Sequence, residues 1–291
     1  MELKVEEVFL QLPEDIWTVI LSKLTFSISK NFIFVCKSLS RLFYKSVLCI
    51  EKTYIKNLKF TNELKKYSNL TKLDLFNNDN VTDDVISQLI NLTKINLSSN
   101  TIITDNGISK LTKITYINLS KNRKITDCCL LKLTNITNIS LCKNRNITDD
   151  CLRLLTNLEH IDLSVNHQIT DYGLKDLTNL KSLVFTKFNI TDNSLTNLIN
   201  LTSLRIGNNI TNNALKQLAG YNNLTSLSIQ YNNISNYGIK ECFSLTRLDI
   251  KNNTIIDDDG IKNLINLTEL GKNRLISNKC IKNLRLLTVI Y

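Results

Sequence analysis

Leucine and isoleucine recur along residues 70–285 in a pattern that repeats about every 22 residues. Each copy reads L-x-x-L-x-L-x-x-N, continues with a phrase such as Ile-Thr-Asp, and ends in a run with apolar residues at helical spacing. Ten copies begin at Leu70, Leu92, Ile114, Ile136, Leu158, Leu180, Leu201, Leu224, Leu245 and Leu267. The first five intervals are 22 residues, and the next four are 21, 23, 21 and 22. Each copy is therefore predicted to hold a short strand and a short helix.

A nearly constant period of this length with this pattern is typical of leucine-rich repeats. Because successive strand side chains point to opposite faces, the apolar residues of L-x-L are predicted to lie inside. In the second copy these are Ile95 and Leu97, while Lys94 and Asn96 face outward. The predicted fold is an α/β leucine-rich repeat solenoid, with a parallel β-sheet on its concave side and short helices outside. Each repeat would bury its apolar surface against its neighbours.

An asparagine closes the strand segment of most copies. A buried turn needs hydrogen-bond donors and acceptors for its backbone, and one amide side chain supplies both. We therefore expect a stacked asparagine ladder along one edge of the sheet. Its predicted members are Asn78, Asn100, Asn122, Asn144, Asn166, Asn209, Asn232 and Asn253.

The phrase Ile-Thr-Asp precedes the outer segment of five copies. Its isoleucine is predicted to be core, and its Thr or Asp can cap the first turn of a helix. The following helix would bury pairs such as Leu130 and Leu133. A repeat of 22 residues leaves room for about two helical turns. Structure accounts for these residues without assigning any of them a functional role.

Residues 11–49 do not follow the repeat. Leu12-Pro13-Glu14-Asp15-Ile16 opens a run with apolar residues at helical spacing, and Val35-Cys36-Lys37 lies in a second such run. Proline and two acids suit the first turn of a helix. These two motifs, in this order, resemble the F-box, a small all-helical module. Residues 11–49 are accordingly assigned as an F-box.

The resemblance implies a partner and an interface. An F-box docks on a Skp-family adaptor, which is bound to the cullin core of a ubiquitin ligase. The residues carried over to that interface are Leu12, Pro13, Ile16, Ile20, Leu24, Val35 and Cys36. An alternative is that the same helices only cap the first repeat, since terminal repeats need a polar cover.

These assignments divide the chain into five segments. Residues 1–10 form an amino-terminal tail, 11–49 the F-box, and 50–69 a degenerate first repeat. Residues 70–285 form the ten repeats, and 286–291 an incomplete final repeat. No apolar run is long enough for a membrane span, and residues 1–7 do not resemble a secretory signal.

Catalytic chemistry finds little support in the sequence. The two histidines, His160 and His167, lack a cysteine or carboxylate at metal-ligand spacing, and no phosphate-binding glycine motif occurs. The eight cysteines form no C-x-x-C pair and are interpreted as reduced, mostly buried thiols. We therefore expect a non-enzyme that needs no cofactor. The expected location is the cytoplasm, with the nucleus as an alternative, in the host cell if the source is a virus.

The outward strand positions are the predicted target-binding surface. Interface hot spots favour aromatic residues and arginine, and the candidates are Phe76, Tyr116, His160, Arg205, Tyr231 and Arg247. A basic patch for an acidic or phosphate-bearing partner is predicted in the loops after two neighbouring strands. Its residues are Lys121, Arg123, Lys124, Lys143 and Arg145.

The predicted function combines the two regions: a substrate receptor that binds the adaptor through the F-box and an unknown target protein through the repeats. One alternative is a stand-alone leucine-rich repeat scaffold with a helical cap. A nucleic-acid-binding module is another, suggested by the net charge of +10. Interspersed acids and an aromatic content of 7% argue against nucleic acid. The charge and the abundant Asn, Ile and Lys are also what an AT-rich genome would produce.

Overall fold

The computed structural model of the chain describes residues 13–23, 49–50, 61–186, 189–207, 209–230 and 232–291. They fall into two compact units, divided after Asn135. In each unit, strands and short helices alternate along the chain, as expected for leucine-rich repeats.

Unit one holds helix α1 (Glu14–Lys23), strand β1 (Cys49–Ile50) and a 3-10 helix (Thr61–Lys66) before its regular repeats. The repeats follow as β2 (Lys72–Asp74), α2 (Asp83–Ile86), β3 (Lys94–Asn96), α3 (Asp105–Ile108), β4 (Tyr116–Asn118) and α4 (Asp127–Leu130). Strands β1 to β4 pair in sequence order and all run parallel.

Unit two begins with β5 (Asn138–Ser140), α5 (Asp149–Leu152), β6 (His160–Leu163), α6 (Asp171–Leu174), β7 (Ser182–Phe185) and α7 (Asp192–Leu195). It continues with β8 (Ser203–Arg205), α8 (Asn212–Tyr221), β9 (Ser226–Ser228), α9 (Asn236–Ile239) and β10 (Arg247–Asp249). The last elements are α10 (Asp258–Ile261), β11 (Glu269–Gly271), α11 (Asn278–Asn283) and β12 (Val289–Ile290). Its strands also pair in sequence order and in parallel.

Strand register follows the repeat period, so equivalent residues of successive copies lie side by side. Leu73 is paired with Ile95, and Ile95 with Ile117. All three are buried, with exposures of 3% or less, while Lys72 and Lys94 on the same strands are exposed. The predicted parallel sheet with its inward apolar row and short helices is confirmed.

The outer helices are shorter than predicted. Most contain four residues, about one turn rather than the expected two. Helix α11 has six residues, and helix α8, in the 23-residue copy, has ten. The predicted inward leucines of the single-turn repeats are nevertheless buried, as Leu130 and Leu133 show. The short helix places one apolar residue inside, and the chain after the helix places the next.

The aspartate that begins most of the outer helices connects two repeats. Asp149 Oδ1 accepts a hydrogen bond from the backbone N–H of Thr170 at 2.9 Å, and its Oδ2 accepts one from the Thr170 hydroxyl at 2.5 Å. The same two bonds join Asp83 to Thr104, Asp105 to Thr126, Asp171 to Thr191, Asp192 to Thr211 and Asp258 to Ser277. Sequence analysis predicted a helix cap here. Thr170 does cap its own helix, but the aspartate binds the next repeat.

Three copies have asparagine in place of this aspartate, at Asn212, Asn236 and Asn278, and for the first two the partner changes with it. Asn212 accepts from the backbone N–H of Ser235 and donates to the Ser235 hydroxyl at 3.0 Å. Asn236 accepts from the N–H of Asp257 and donates to the Asp257 carboxylate at 2.7 Å. An amide has one acceptor oxygen and one donor nitrogen, so the residue it meets must accept a bond where threonine donated one.

The predicted asparagine ladder is present within each unit. The Asn166 amide oxygen accepts from the backbone N–H groups of Gln168 and Ile169, and its nitrogen donates to the carbonyls of Leu141 and Asn144. Buried members are Asn78, Asn100 and Asn122 in unit one, and Asn144, Asn166, Asn232, Asn253 and Asn273 in unit two.

Two positions of the ladder differ from the prediction. Asn209 is half-buried rather than buried. Asn273 was missed, because the tenth copy is two residues shorter between its second leucine and its asparagine. It nevertheless donates to the Ile256 carbonyl at 2.8 Å and accepts from the Leu275 N–H. The asparagine therefore meets the hydrogen-bonding requirement of the turn even where the sequence pattern is shortened.

The residue before the ladder asparagine often has a left-handed backbone. Positive φ angles of 51° to 62° occur at Asn77, Ser99, Lys121, Lys143, Val165 and Asn252. Val165 is the unusual member, because a β-branched side chain crowds the backbone most in this region. Its N–H is held by the Thr186 hydroxyl oxygen at 3.0 Å.

We predict that Val165→Asn stabilises the protein. Asparagine tolerates the left-handed region and already occupies the equivalent positions 77 and 252, so relief of crowding should raise the free energy of unfolding by about 1 kcal/mol. Urea unfolding followed by circular dichroism measures the change. Val184→Asn, the same substitution in strand β7, is the control and should not stabilise. An unchanged or lower urea midpoint for Val165→Asn would contradict the interpretation that the Val165 backbone is strained.

A pH prediction follows from Asp258. The hydrogen bond from the Ser277 hydroxyl, and next the one from the Ser277 backbone N–H, lower the pKa of this carboxyl below its ordinary value of 3.8. Because the folded-state pKa is lowered, the stabilisation is complete above pH 3.8 and is lost as the pH falls through the folded-state pKa.

Asp258→Asn tests whether the Asp258 carboxylate carries this pH dependence. The equivalent pair Asn212 and Ser235 shows that asparagine and serine can bond in this position. The variant should remain folded and should lose less stability than the wild type between neutral pH and the acid range. Thermal melts at several pH values measure the difference. Parallel melting-temperature curves for the two proteins would show that Asp258 carries none of the acid sensitivity.

Candidate functional site

The outward face of the unit-two sheet presents two rows of aligned side chains. Strand register aligns the first row, here called the serine row: His160, Ser182, Ser203, Ser226, Arg247 and Glu269. It aligns the second, the Arg205 row, two residues further along each strand: Asp162, Val184, Arg205, Ser228, Asp249 and Gly271. Three of the predicted target-binding residues, His160, Arg205 and Arg247, thus lie on one face.

The serine row forms a floor between two larger side chains. Ser182, Ser203 and Ser226 are half-buried, whereas His160 at one end and Arg247 at the other are exposed. Four strand spacings separate the two ends, a distance of about 19 Å. A strip of small polar residues of this length allows a partner's backbone or side chain to approach the sheet closely.

Charges at the Arg247 end of the face are paired within the protein. Arg247 Nε lies 3.3 Å from Glu269 Oε2. A hydrogen bond with Tyr291, followed by the attraction of Tyr291 and Glu269, raises the pKa of Arg247 above its ordinary value. Asp249 Oδ2 accepts from the Gln230 amide at 2.5 Å. This end of the face therefore holds little unsatisfied charge.

Arg205 differs from these groups. Its side chain is exposed, and its neighbours across the strands are Val184 and Ser228. Among the residues that the structure describes, no carboxylate lies within ion-pair distance of it. A guanidinium with five donors in the centre of a face of small side chains is available to a partner's acceptor groups.

Asp162, two residues after His160 on strand β6, is bonded to other groups. Asp162 accepts from the Ser164 N–H at 2.8 Å and from the Ser140 hydroxyl at 3.3 Å. His160 lies 4.0 Å from Glu159, whose carboxylate is paired with Lys181 at 2.9 Å. The carboxylates around this histidine are thus engaged by other groups.

The remaining predicted target-binding residues lie elsewhere. Phe76 follows strand β2 and is 38% exposed, and Tyr116 on strand β4 is half-buried. Both belong to unit one. Tyr231 lies outside the described residues. The prediction that these residues bind a target stays a prediction.

The predicted basic patch is divided between the units. Lys121, Arg123 and Lys124 are exposed in the loop after β4 of unit one, and Lys143 and Arg145 are exposed in the loop after β5 of unit two. In both loops a lysine and an arginine flank a buried ladder asparagine. The stacking of the two groups remains a prediction.

Helix α1 presents part of the predicted adaptor interface. The Trp17 N–H donates to the carbonyl of Pro13 at 3.2 Å, so the helix begins directly after the proline. Trp17 and Leu21 are buried, while Ile16 and Ile20 are exposed by 43% and 36%. Leu12, Leu24, Val35 and Cys36 lie outside the described residues. The helix therefore presents predicted interface residues on a face about 100° around its axis from the buried one.

The buried cysteines behave as core residues. Burial raises the pKa of the Cys129 and Cys242 thiols to about 12, with Asp105 adding to the rise at Cys129 and Glu241 at Cys242. Such thiols are protonated at neutral pH and are poor nucleophiles and metal ligands. Within the described ranges, no three His, Cys, Asp or Glu side chains converge as a metal site. The described helices are also too short or too polar to cross a bilayer.

One exposed feature was missed by the sequence analysis. Phe243 and Ile265 occupy the same position of neighbouring copies, between the outer helix and the next strand, and are 50% and 64% exposed. Two earlier copies also have an exposed isoleucine there, Ile90 and Ile199, whereas four have threonine, at Thr112, Thr134, Thr156 and Thr178. The change from threonine to large apolar residues was the available signal, and it is visible only when the copies are compared position by position.

Comparison with known families agrees with this geometry. Residues 62–181 and 145–268 match the BspA-type leucine-rich repeat region, in six copies. The chain belongs to the BspA-type leucine-rich repeat family. Residues 11–49 lie outside the match, which therefore neither supports nor excludes the F-box assignment. Among curated proteins, none matches the chain significantly in sequence.

Several solved structures resemble this BspA-type protein. An internalin, InlF of Listeria monocytogenes, is 24% identical, with 91% of this chain and 88% of InlF covered and a TM-score of 0.55. The functional domain of InlJ from the same bacterium is 25% identical over 78% of this chain, with a TM-score of 0.54. This chain spans about half of that structure's length, 49%. One chain of the yeast Rad7 and Elc1 complex is 18% identical, with 98% of this chain and 90% of that chain covered and a TM-score of 0.52. These likenesses support the repeat fold.

Proposed function

We propose that this BspA-type protein is a scaffold that binds a protein partner on the outward strand face of unit two. The observation that carries the proposal is Arg205, an exposed guanidinium without a carboxylate partner among the described residues, surrounded by small side chains. Arginine is among the residues that most often dominate binding energy at protein interfaces.

Physical chemistry favours Arg205 over the other charges of the face. Arg247 is already bonded to Glu269 and Asp249 to Gln230, so a partner would have to break those contacts or leave them in place. Arg205 loses no internal ion pair when it is covered. A bidentate bond from its guanidinium to a carboxylate would add both energy and orientation.

Such a role requires no reaction within the chain. The buried thiols are protonated, and the carboxylates around His160 are engaged. We therefore propose a non-enzymatic protein that uses no cofactor. The cytoplasmic location expected from the sequence stays a prediction.

Arg205→Ala should weaken partner binding by about tenfold or more, because truncation of a central arginine typically costs 1.4 kcal/mol or more. A photo-crosslinking residue placed at Ser203 would identify the partner, and calorimetric titration with the purified partner would measure the affinity. Lys279→Ala on helix α11 is the control, an exposed cation away from the face. Equal affinity of wild type and Arg205→Ala for the partner would contradict the proposal that the strand face is the interface.

A second candidate function is supported by helix α1. Its exposed side chains include Ile16, Val19 and Ile20, an apolar surface on a helix that also buries Trp17 and Leu21. Together with the resemblance of residues 11–49 to an F-box, this favours docking on a Skp-family adaptor of a ubiquitin ligase. The strand face would then hold the target, and catalysis would arise from raised effective concentration at the ligase.

The double variant Ile16→Glu, Ile20→Glu tests the adaptor role. If α1 docks on a purified Skp-family adaptor, wild type should bind in calorimetry and the variant should not, because two charges would be buried in an apolar contact. Lys23→Glu, at the exposed end of the same helix, should bind like wild type. A folded wild-type protein that fails to bind the adaptor would refute the adaptor role and leave the strand-face proposal untouched.

A further inference from the structure

A cavity of about 980 Å³ lies between the loops that follow strands β10 and β11 in unit two. Its lining consists of Lys251, Asn252, Asn253, Thr254, Lys272, Asn273, Arg274 and Leu275. This volume is at the upper end of the range of small-ligand sites and is large enough for several side chains of a peptide.

Three cations and no carboxylate line the cavity. Lys251, Lys272 and Arg274 form no ion pair within 4 Å with any residue in the described part of the chain. The two nearby acids of the strand face are engaged, since Glu269 is paired with Arg247 and Asp249 is bonded to Gln230. The positive charge of the cavity is therefore not neutralised by its surroundings.

Two of the neutral polar residues that line the cavity, Asn253 and Asn273, are committed to the fold. Asn253 accepts from the N–H groups of Ile255 and Ile256 and donates to the Ile234 carbonyl at 2.9 Å. Asn273 accepts from the Leu275 N–H and donates to the Ile256 carbonyl. Because these amides are used by the ladder, the cations are the lining groups most able to bond a ligand.

The cavity also has an apolar component. Leu275 lines it and is 46% exposed. Lys251 Nζ lies 4.2 Å from the centre of the Tyr291 ring, so this aromatic face is already covered by a cation. No aromatic side chain is among the lining residues, which leaves no platform for the base stacking used in single-stranded nucleic-acid binding. The lining favours a ligand with carboxylates and an aliphatic group.

We propose that this cavity binds an acidic segment of the protein partner, with carboxylates on Lys251, Lys272 and Arg274 and an aliphatic side chain on Leu275. The proposal rests on the proposed function in that the ligand is part of a protein. Lys251 lies two residues after Asp249, the β10 member of the Arg205 row, so one partner chain can extend from the strand face into the cavity.

Fluorescence anisotropy with the full chain tests the proposal. The probe is a labelled peptide of aspartate, glutamate and leucine, compared with the same peptide carrying asparagine and glutamine and with a single-stranded oligonucleotide of equal charge. The cavity variant is Lys272→Glu, Arg274→Glu. The matched control is Lys279→Glu, Lys282→Glu, which makes the same charge change on helix α11 of the same repeat.

The acidic peptide should bind saturably, and the cavity variant should weaken its binding by about tenfold or more. The control variant should change the affinity by less than about threefold, because an exposed charge far from the ligand contributes little. Circular dichroism confirms folding. Lys272→Gln, Arg274→Gln removes the charges without reversing them and should also weaken binding, which keeps the test valid if the glutamates unfold the repeat.

Three outcomes would overturn the proposal: equal losses in cavity and control variants, equal binding of the amide peptide, or tighter oligonucleotide binding that the cavity variant loses. Arg205→Ala separates this proposal from the function it rests on. A protein that needs Arg205 for its partner but does not bind the acidic peptide refutes the cavity site alone. If Arg205→Ala leaves the affinity for the partner unchanged, the strand-face proposal is refuted, whether or not the acidic peptide binds.

Discussion

The structure depends on hydrogen bonding of the backbone in the turn after each strand. These turns are stacked between neighbouring repeats, where water cannot satisfy their N–H and C=O groups. An asparagine amide solves this with one side chain, as Asn166 does by bonding two N–H groups of its own turn and two carbonyls of the preceding repeat. Stacking these amides requires equivalent residues to lie side by side, which sets the register of the strands.

A second set of contacts fixes the outer side of the repeats. The aspartate at the start of one helix binds the threonine of the next repeat, as Asp149 does with Thr170. The pair Asn236 and Asp257 shows that the chemistry is complementary rather than fixed, because donor and acceptor have changed places. With the inward side chains and the ladder asparagines committed to stacking, the outward side chains of the strands and turns are available for function. Arg205 lies at one of these strand positions, and Lys272 at one of these turn positions.

The cavity lies beside a departure from the repeat. The tenth copy is two residues shorter before Asn273, yet the asparagine still reaches the ladder. Its neighbours Lys272 and Arg274 line the cavity together with Lys251 of the ninth copy. Lysine and arginine flank a ladder asparagine in the same way at Asn122 and Asn144, in the basic patch predicted from the sequence. The corresponding residues of the shortened tenth copy were not predicted.

The sequence by itself determined the repeat, the parallel sheet, the inward apolar rows and most of the ladder, because these follow from periodicities within one copy. It could not determine that Asp149 serves the following repeat, that the helices have a single turn, or that Lys251 shares a cavity with Lys272. Those features depend on contacts between residues about 22 positions apart. Only the stacked tertiary structure brings such residues together, since nothing in one copy specifies what its neighbour presents.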